Sequence, residues 1–295
     1  MHLKTFIFSI LLLGFMPFCN GQEKLQYNLK KGDVFQIRQV ARQDIVQEID
    51  GASHEVTNDI SGTLEFKVTG KTEDIYAIDI TFRDLWMKMT SSMQGEVLNV
   101  NARELDPENV QSRIFHSLLN EPVHLVMKSN GDILEVKGGD SIVAKMVRAS
   151  GLQEAFAVNM LRSSLKNEFG SKAMSESYEQ MTFIYPDRNI KVGDTWKNSY
   201  SGKLKAETLW KLDSVNTKNV SISGIANILV KIEEPATTMV LDGTQNTRVT
   251  TDKKSGFILK MRVNGVTRGY STLAQMGDQK IPTTITSTIT YELIQ

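Results

Sequence analysis

Cysteine is almost missing from this chain: Cys19 is the single one in 295 residues. It lies within MHLKTFIFSILLLGFMPFCNGQ, where Lys4 is the only charge in the first 21 positions and Phe6 to Phe15 is an apolar run. A basic start, a short apolar middle and the small Gly21 have the form of a secretory leader. The run falls short of the roughly 20 apolar residues that a membrane span requires. We therefore expect cleavage after Gly21 and an exported protein, periplasmic or secreted, that starts at Gln22 and keeps no integral membrane span. Lipid anchoring through Cys19 is the minor alternative, because the residue before it, Phe18, is not small. With Cys19 removed alongside the leader, disulfides, thiolate nucleophiles and cysteine-held metals are excluded.

Excess charge of either sign is also missing, with 34 Lys and Arg balancing 34 Asp and Glu. No run of Lys and Arg stands out, so neither nucleic acid nor an anionic membrane surface is an expected partner. Histidine is sparse: after the leader only His54, His116 and His124 remain, and none is spaced with another His or a carboxylate cluster as a metal site needs. There is no Gly-x-Ser-x-Gly elbow, no phosphate loop and no dinucleotide glycine pattern. No cofactor is expected, and no residue is assigned a catalytic role.

What the chain does have is alternation. In ISGTLEFKVT, Ile60, Gly62, Leu64, Phe66 and Val68 share one face, and the other face is polar. The next run places Tyr76, Ile78, Ile80 and Phe82 together, after which the apolar set becomes Leu85, Met87 and Met89. A bulge near Arg83-Asp84 would return both runs to one face. Leu204 to Leu212, Val220 to Ile232, Phe257 to Val263 and Ile285 to Leu293 repeat the habit. Period-two alternation of this kind belongs to antiparallel sheets with one wetted face.

The middle of the chain is different. Asp106 and Pro107 read as the N-cap and first position of a helix, and Asp140 as the cap of another that ends at Gly151. Residues 152 to 169 carry Leu152, Phe156, Met160, Leu161, Leu165 and Phe169 at helical spacing, with Gly170 as terminator and a weaker helix at 171 to 181. Between the first two helices, VHLVMK and ILEVKG flank Asn130-Gly131, a hairpin signal. The expected fold is thus α+β: a strongly curved antiparallel sheet, half-barrel or barrel-like, with a central helical insertion packed on it. Its parts are a leader (1–21) and a single domain (22–295). Two β halves, 25–102 and 190–295, read as related by the shared turn that opens each, flank the hairpin-plus-helices insertion at 103–185.

The halves open alike. LKKGDVF and IKVGDTW share Lys-x-Gly-Asp followed by an aromatic, Phe35 or Trp196. Glycine supplies the left-handed position of a turn, and Asp is expected to bond the backbone two residues on. Trp196 beside Asp194 admits a sugar-stacking role, but a turn with a core-anchoring aromatic is the preferred reading.

Three stretches together resemble an uncharacterised family of exported bacterial proteins, a domain of unknown function. They are Tyr27-Asn28-Leu29-Lys30-Lys31-Gly32-Asp33, Asn130-Gly131-Asp132-Ile133 with Val136-Lys137-Gly138, and Pro186 through Gly193-Asp194-Thr195-Trp196. The resemblance spans nearly the whole mature chain and implies no activity or catalytic residues. More loosely, a curved sheet with helices in an exported chain is similar to the lipoprotein carriers of the periplasm, a likeness of fold alone, which does not fix function.

Methionine supports a related expectation, since its flexible thioether suits surfaces that accept varied apolar ligands. Met87 and Met89 beside Trp86, with Met127, Phe156, Met160, Leu259 and Met261, are the candidate lining of an apolar site. The function expected is a non-enzymatic exported binding protein of the cell envelope that holds a lipid or other apolar small molecule. The alternatives are an envelope scaffold with a protein partner and no small ligand, and a hydrolase using paired carboxylates.

Overall fold

The computed structural model describes residues 22–234, 237–274, 277 and 279–294. The leader, its cleavage point and Cys19 lie outside the described residues. The first half of the chain forms β1 (Val34–Ile49), β2 (Ala52–Thr72), β3 (Ile75–Ser91) and β4 (Gly95–Asn101). The insertion supplies α1 (Val110–His116), β5 (Pro122–Lys128), β6 (Ile133–Lys137), α2 (Gly139–Ser150), α3 (Ala155–Phe169) and α4 (Ser171–Thr182). The second half forms β7 (Thr195–Tyr200), β8 (Leu204–Val215), β9 (Asn219–Glu234), β10 (Thr237–Asp252), β11 (Ile258–Leu273) and β12 (Ile281–Leu293).

All strands join one antiparallel sheet in the order β6-β5-β3-β2-β1-β12-β11-β10-β9-β8-β7, with β4 also on β3. The path runs from β6 to β7 without closing, so the architecture is a curved half-barrel. Its two halves meet where β1 pairs with β12, from Ile37 opposite Leu293 to Gln47 opposite Thr283. The insertion is not purely helical in effect, because its hairpin β5–β6 extends the sheet beside β3.

Register explains the burial. Leu64 and Phe66 of β2, Ile78 and Ile80 of β3, Leu212 of β8 and Met261 of β11 are all buried on the inner face, which the helices cover. The bulge falls at Arg83: Thr63 pairs with Asp84 and Leu64 with Phe82, leaving Arg83 as the extra residue. Its guanidinium donates to Glu65 at 2.8 Å and to Asn120 at 2.7 Å, and Gln36 donates to the same carboxylate at 3.0 Å. Above all the hydrogen bond from Arg83 holds the Glu65 carboxyl below its usual range.

Curvature has a visible cause in β10 and β11. A methyl group on Gly243 would overlap the carbonyl oxygen of Val266 and crowd Thr267. Neighbouring backbone thus occupies the place of a side chain, as tight coiling of the sheet towards its inner face requires. Gln47 of β1 reaches over β12 to donate to Ser271 of β11 at 2.8 Å, and Ser271 also bonds Thr283 at 2.9 Å.

The two Gly-Asp turns are structural equivalents. Gly32 and Gly193 have φ of +94° and +93°. Gly32 N–H donates to Val68 and Gly193 N–H to Leu212, each on the strand opposite the one that the turn opens. Each Asp reaches backwards rather than forwards: Asp33 accepts from Lys30 N–H at 2.8 Å and Asp194 from Lys191 N–H at 3.0 Å. Trp196 anchors the core, buried with its indole N–H donating to Ile184 at 3.2 Å.

Helix starts are corrected by their caps. α1 begins only at Val110, because Asn109 rather than Asp106 accepts from Ser112 N–H. Gly138, in the left-handed region, occupies the cap of α2, which leaves Asp140 inside the first turn. Glu154 caps α3 by accepting from Phe156 and Ala157 N–H at 2.9 and 2.6 Å, so Leu152 lies before the helix.

Gly243→Val should destabilise the fold by about 1–3 kcal/mol through overpacking, as read from the denaturant midpoint. Glu65→Gln should cost about 1 kcal/mol at neutral pH. The folded pKa of Glu65 is depressed, so its contribution is present above the ordinary carboxylate value and lost as pH falls through the folded one. Wild type and variant should therefore converge in acid stability measurements.

Candidate functional site

The strands are longer than the core. At about 3.3 Å per residue, the 21 residues of β2 reach roughly 70 Å. Ile37 and the Leu64–Val68 stretch mark the end at which helices pack, and beyond it the inner face becomes a trough with two chambers. The first, of about 520 Å³, lies over β1 to β4 and is lined by Ala41, Ile60, Met87, Met89, Leu98 and Ile289 of β12. The second, of about 400 Å³, lies over β8 to β12 and is bordered by α4 through Ser177 and Gln180. Its apolar wall includes Leu204, Ile228, Val230, Met239, Val263 and Ile285. Gln39, Gln43, Ser287 and Ile289 line both chambers, so the two adjoin at the β1–β12 seam.

The trough is tied across its rims. Glu168, at the end of α3, borders the first chamber; Lys203, just before β8, borders the second; they pair at 2.8 Å. On the outer face of β1 to β4, Arg42 pairs with Asp44 at 3.1 Å and Asp59 at 3.5 Å, and Lys88 with Glu96 at 3.2 Å.

Of the residues expected to line an apolar site, Met87 and Met89 line the first chamber and Met261 the second. The other five lie elsewhere. Trp86 alternates with Met87, so it falls on the outer face, where its indole donates to Asn99 at 3.2 Å. Met127 is buried in the filled core. Leu259 is the extra residue of a bulge between Thr250 and Thr251, and it borders a separate shallow groove with Val34 and Phe35. Phe156 and Met160 are 69% and 59% exposed, because α3 packs against α2 and α4 through Leu165 and its neighbours and leaves the Phe156–Met160 row in solvent. The glutamines of β1 were not foreseen. Their signal was the four-residue spacing of Gln39, Gln43 and Gln47 within an alternating strand.

Asp59 and Glu168 border the first chamber as members of ion pairs, and a pair of carboxyls lies away from the trough. Burial holds the Glu179 carboxyl of α4 above its usual range, and the charge and hydrogen bond of Asp132 add to the effect. Asp132 is itself paired with Lys128 at 2.7 Å. His124 bonds Asp79 at 2.6 Å on exposed surface. Among the described residues no three His, Cys, Asp or Glu side chains form a metal-holding group. Among the same residues no helix is long and apolar enough to cross a membrane.

A family model described as a family of unknown function, DUF6263, matches residues 73–258. The chain belongs to DUF6263. The match includes the second and third of the three resembling stretches, while Tyr27–Asp33 precedes it. No curated protein matches the sequence. Among solved structures, lipovitellin, in a study of its lipid–protein interactions, superposes with a TM-score of 0.51 at 12% identity. That alignment covers 91% of this chain and 26% of lipovitellin, so this member of DUF6263 spans about a quarter of that protein's length. The likeness is one of fold. An outer-membrane channel from Pseudomonas putida aligns at a TM-score of 0.27 and 7% identity, over 91% of this chain and 97% of the channel. A DUF1329 family protein from Desulfovibrio piger aligns at 0.17 and 10% identity, over 87% and 83%.

Met87→Glu places a charge among the apolar groups of the first chamber and should cost about 1–3 kcal/mol. Phe156→Glu, on exposed surface, should stay within about 0.5 kcal/mol of wild type. Equal denaturant midpoints for the two variants would refute this division of the molecule.

Proposed function

We propose that this protein is an exported, non-catalytic binding protein that holds a lipid or similarly elongated apolar ligand in the trough. The observation that carries this reading is two adjoining apolar chambers that share a seam on one curved sheet. Filled cores leave few voids larger than a water molecule, whereas ligand sites hold roughly 300–1,000 Å³. Each chamber alone falls in that range. The fold likeness to lipovitellin, a protein studied for its lipid–protein interactions, supports the same reading. Export rests on the form of residues 1–21. The Asp132–Glu179 pair supports a hydrolase less well, because neither residue lines the trough, and the carboxylates that border it, Asp59 and Glu168, are engaged in ion pairs.

A second reading has one observation in its favour. The outer row of α3, Phe156 and Met160, is the kind of exposed apolar surface that a protein partner in the envelope would cover.

Titration of the mature chain with N-phenylnaphthylamine, a fluorophore that brightens in apolar surroundings, tests the binding reading. Saturable binding that is weakened by Met87→Glu or Met239→Glu and unaffected by Phe156→Glu is expected. Absence of saturable binding, or a loss confined to the α3 variant, would refute the trough as the site.

A further inference from the structure

We infer that the trough takes a two-chain lipid, with the uncharged ester or amide linkages of the lipid held at Gln39, Gln43 and Ser287 and one chain in each chamber. The inference rests on reading the trough as a lipid site and adds the class of lipid.

The zoning of the inner face carries it. At one register across five strands, the inner face runs Asn58, Gln43, Ser287, Gly265, Gln245. The row on the core side of it is Ile60, Ala41, Ile289, Val263. The row on the far side contains Ile45, Ile285, Thr267 and, beyond Gly243, Ile228. A band of amides and a hydroxyl therefore crosses the sheet between largely apolar rows, and its centre is the seam that the chambers share.

The polar groups at the seam are uncommitted. Asn58 donates to Gln43 Oε1 at 3.3 Å, which occupies an acceptor of Gln43 and leaves its Nε2 donors unused among the described residues. Gln39 and Ser287 have no side-chain hydrogen bond among the described residues. Asn58 Oδ1 is itself buried with no partner among the described residues. Gln39, Gln43 and Ser287 are half-buried and their unpaired groups are open to water, so these donors are free to serve carbonyl oxygens that a ligand brings into the trough.

Charge selects among the possible carbonyl ligands. None of the four residues shared by the chambers is ionisable. Lys203, at the rim, already faces Glu168, while Arg42 and Lys88 alternate onto the outer face and there pair with Asp44, Asp59 and Glu96. A carboxylate at the seam would be desolvated without a counter-charge, whereas ester or amide carbonyls would be satisfied by the glutamines. The chambers extend from the seam in opposite directions across the strands, which gives two chains separate places. A single-chain acid meets neither condition.

The test is displacement of N-phenylnaphthylamine by dioleoylglycerol and by oleate, each delivered from cyclodextrin, to wild type and to the double variant Gln39→Leu, Gln43→Leu. Dioleoylglycerol should displace the fluorophore at concentrations about tenfold lower than oleate. The double variant, with unchanged melting, should lose most of that preference, as removal of two hydrogen bonds of ordinary strength requires. If that variant melts early, Gln43→Asn, which withdraws the donor but keeps its chemistry, should reduce the preference in part. Equal displacement by both lipids, or a preference that neither variant alters, would overturn the two-chain assignment and leave the trough as an apolar site. Saturable fluorophore binding with no displacement by either lipid would also overturn the assignment. Failure of the fluorophore itself to bind would remove the trough as a site and the assignment with it.

Discussion

The fold depends on a knot of buried tyrosine hydroxyls. Tyr27 donates from its phenol to the carbonyl of Thr182, at the end of α4, at 3.0 Å. Its own carbonyl accepts from the Tyr76 hydroxyl of β3 at 2.9 Å. Tyr185 packs edge-on against Tyr27 at 5.2 Å and donates to Gly256, in the turn before β11, at 2.6 Å. Three hydroxyls thereby connect the entering segment, both halves of the sheet and the last helix. Burial is the main reason that the phenols of Tyr27 and Tyr185 are pushed well above their ordinary values, so each remains a neutral donor. Removing a partner here would leave a buried carbonyl unmet, which costs more than a hydrogen bond contributes. The three sequence stretches that resemble the family converge on this knot: Tyr27 bonds Ser129 through its backbone, and Asn130 bonds Asp187 at 2.7 Å.

A firmly tied end permits a loosely filled one. At the knot end the strands are buried beneath helices, and their side chains do the usual work of a core. Farther along the same strands the inner face carries glutamines, serine and small residues among the aliphatics, and the helices no longer fill the space. Backbone ladders persist through this region, with β1 paired to β2 as far as Ile49 and Ala52. The sheet can therefore remain ordered where it gives up apolar contact, because its hydrogen bonds do not depend on what lies over its face.

This division governs what could be read from the sequence. Alternation from Ile60 to Val68, the bulge at Arg83 and the hairpin at Asn130-Gly131 were legible because each is set by residues near in sequence. Antiparallel architecture followed from the same period. Trp86 misled because closeness in sequence to Met87 and Met89 means the opposite face in a strand. Leu259 misled because an unrecognised bulge moved it off the Met261 row. Phe156 and Met160 obeyed helical spacing, but spacing does not report which side of a helix receives neighbours. The band from Asn58 to Gln245 was not legible at all, since it exists only when the registers of five strands are known.

Polar side chains in a trough destabilise an empty apolar surface less than they would a dry core, because water can reach them. Their cost appears when water is expelled, and then only if nothing replaces it. A ligand with carbonyls at its centre replaces it, while a pure hydrocarbon would bury Gln39, Gln43 and Ser287 unpaired. The ion pair between Glu168 and Lys203 adds a constraint of another kind, since it links the end of α3 to the start of β8 across the two rims. Passage into the trough is thus less obstructed where the strands run past the helices than through the tied middle. In the proposed lipid reading, selectivity would rest on the polar groups of the seam beyond the core, and rigidity on the tyrosine knot.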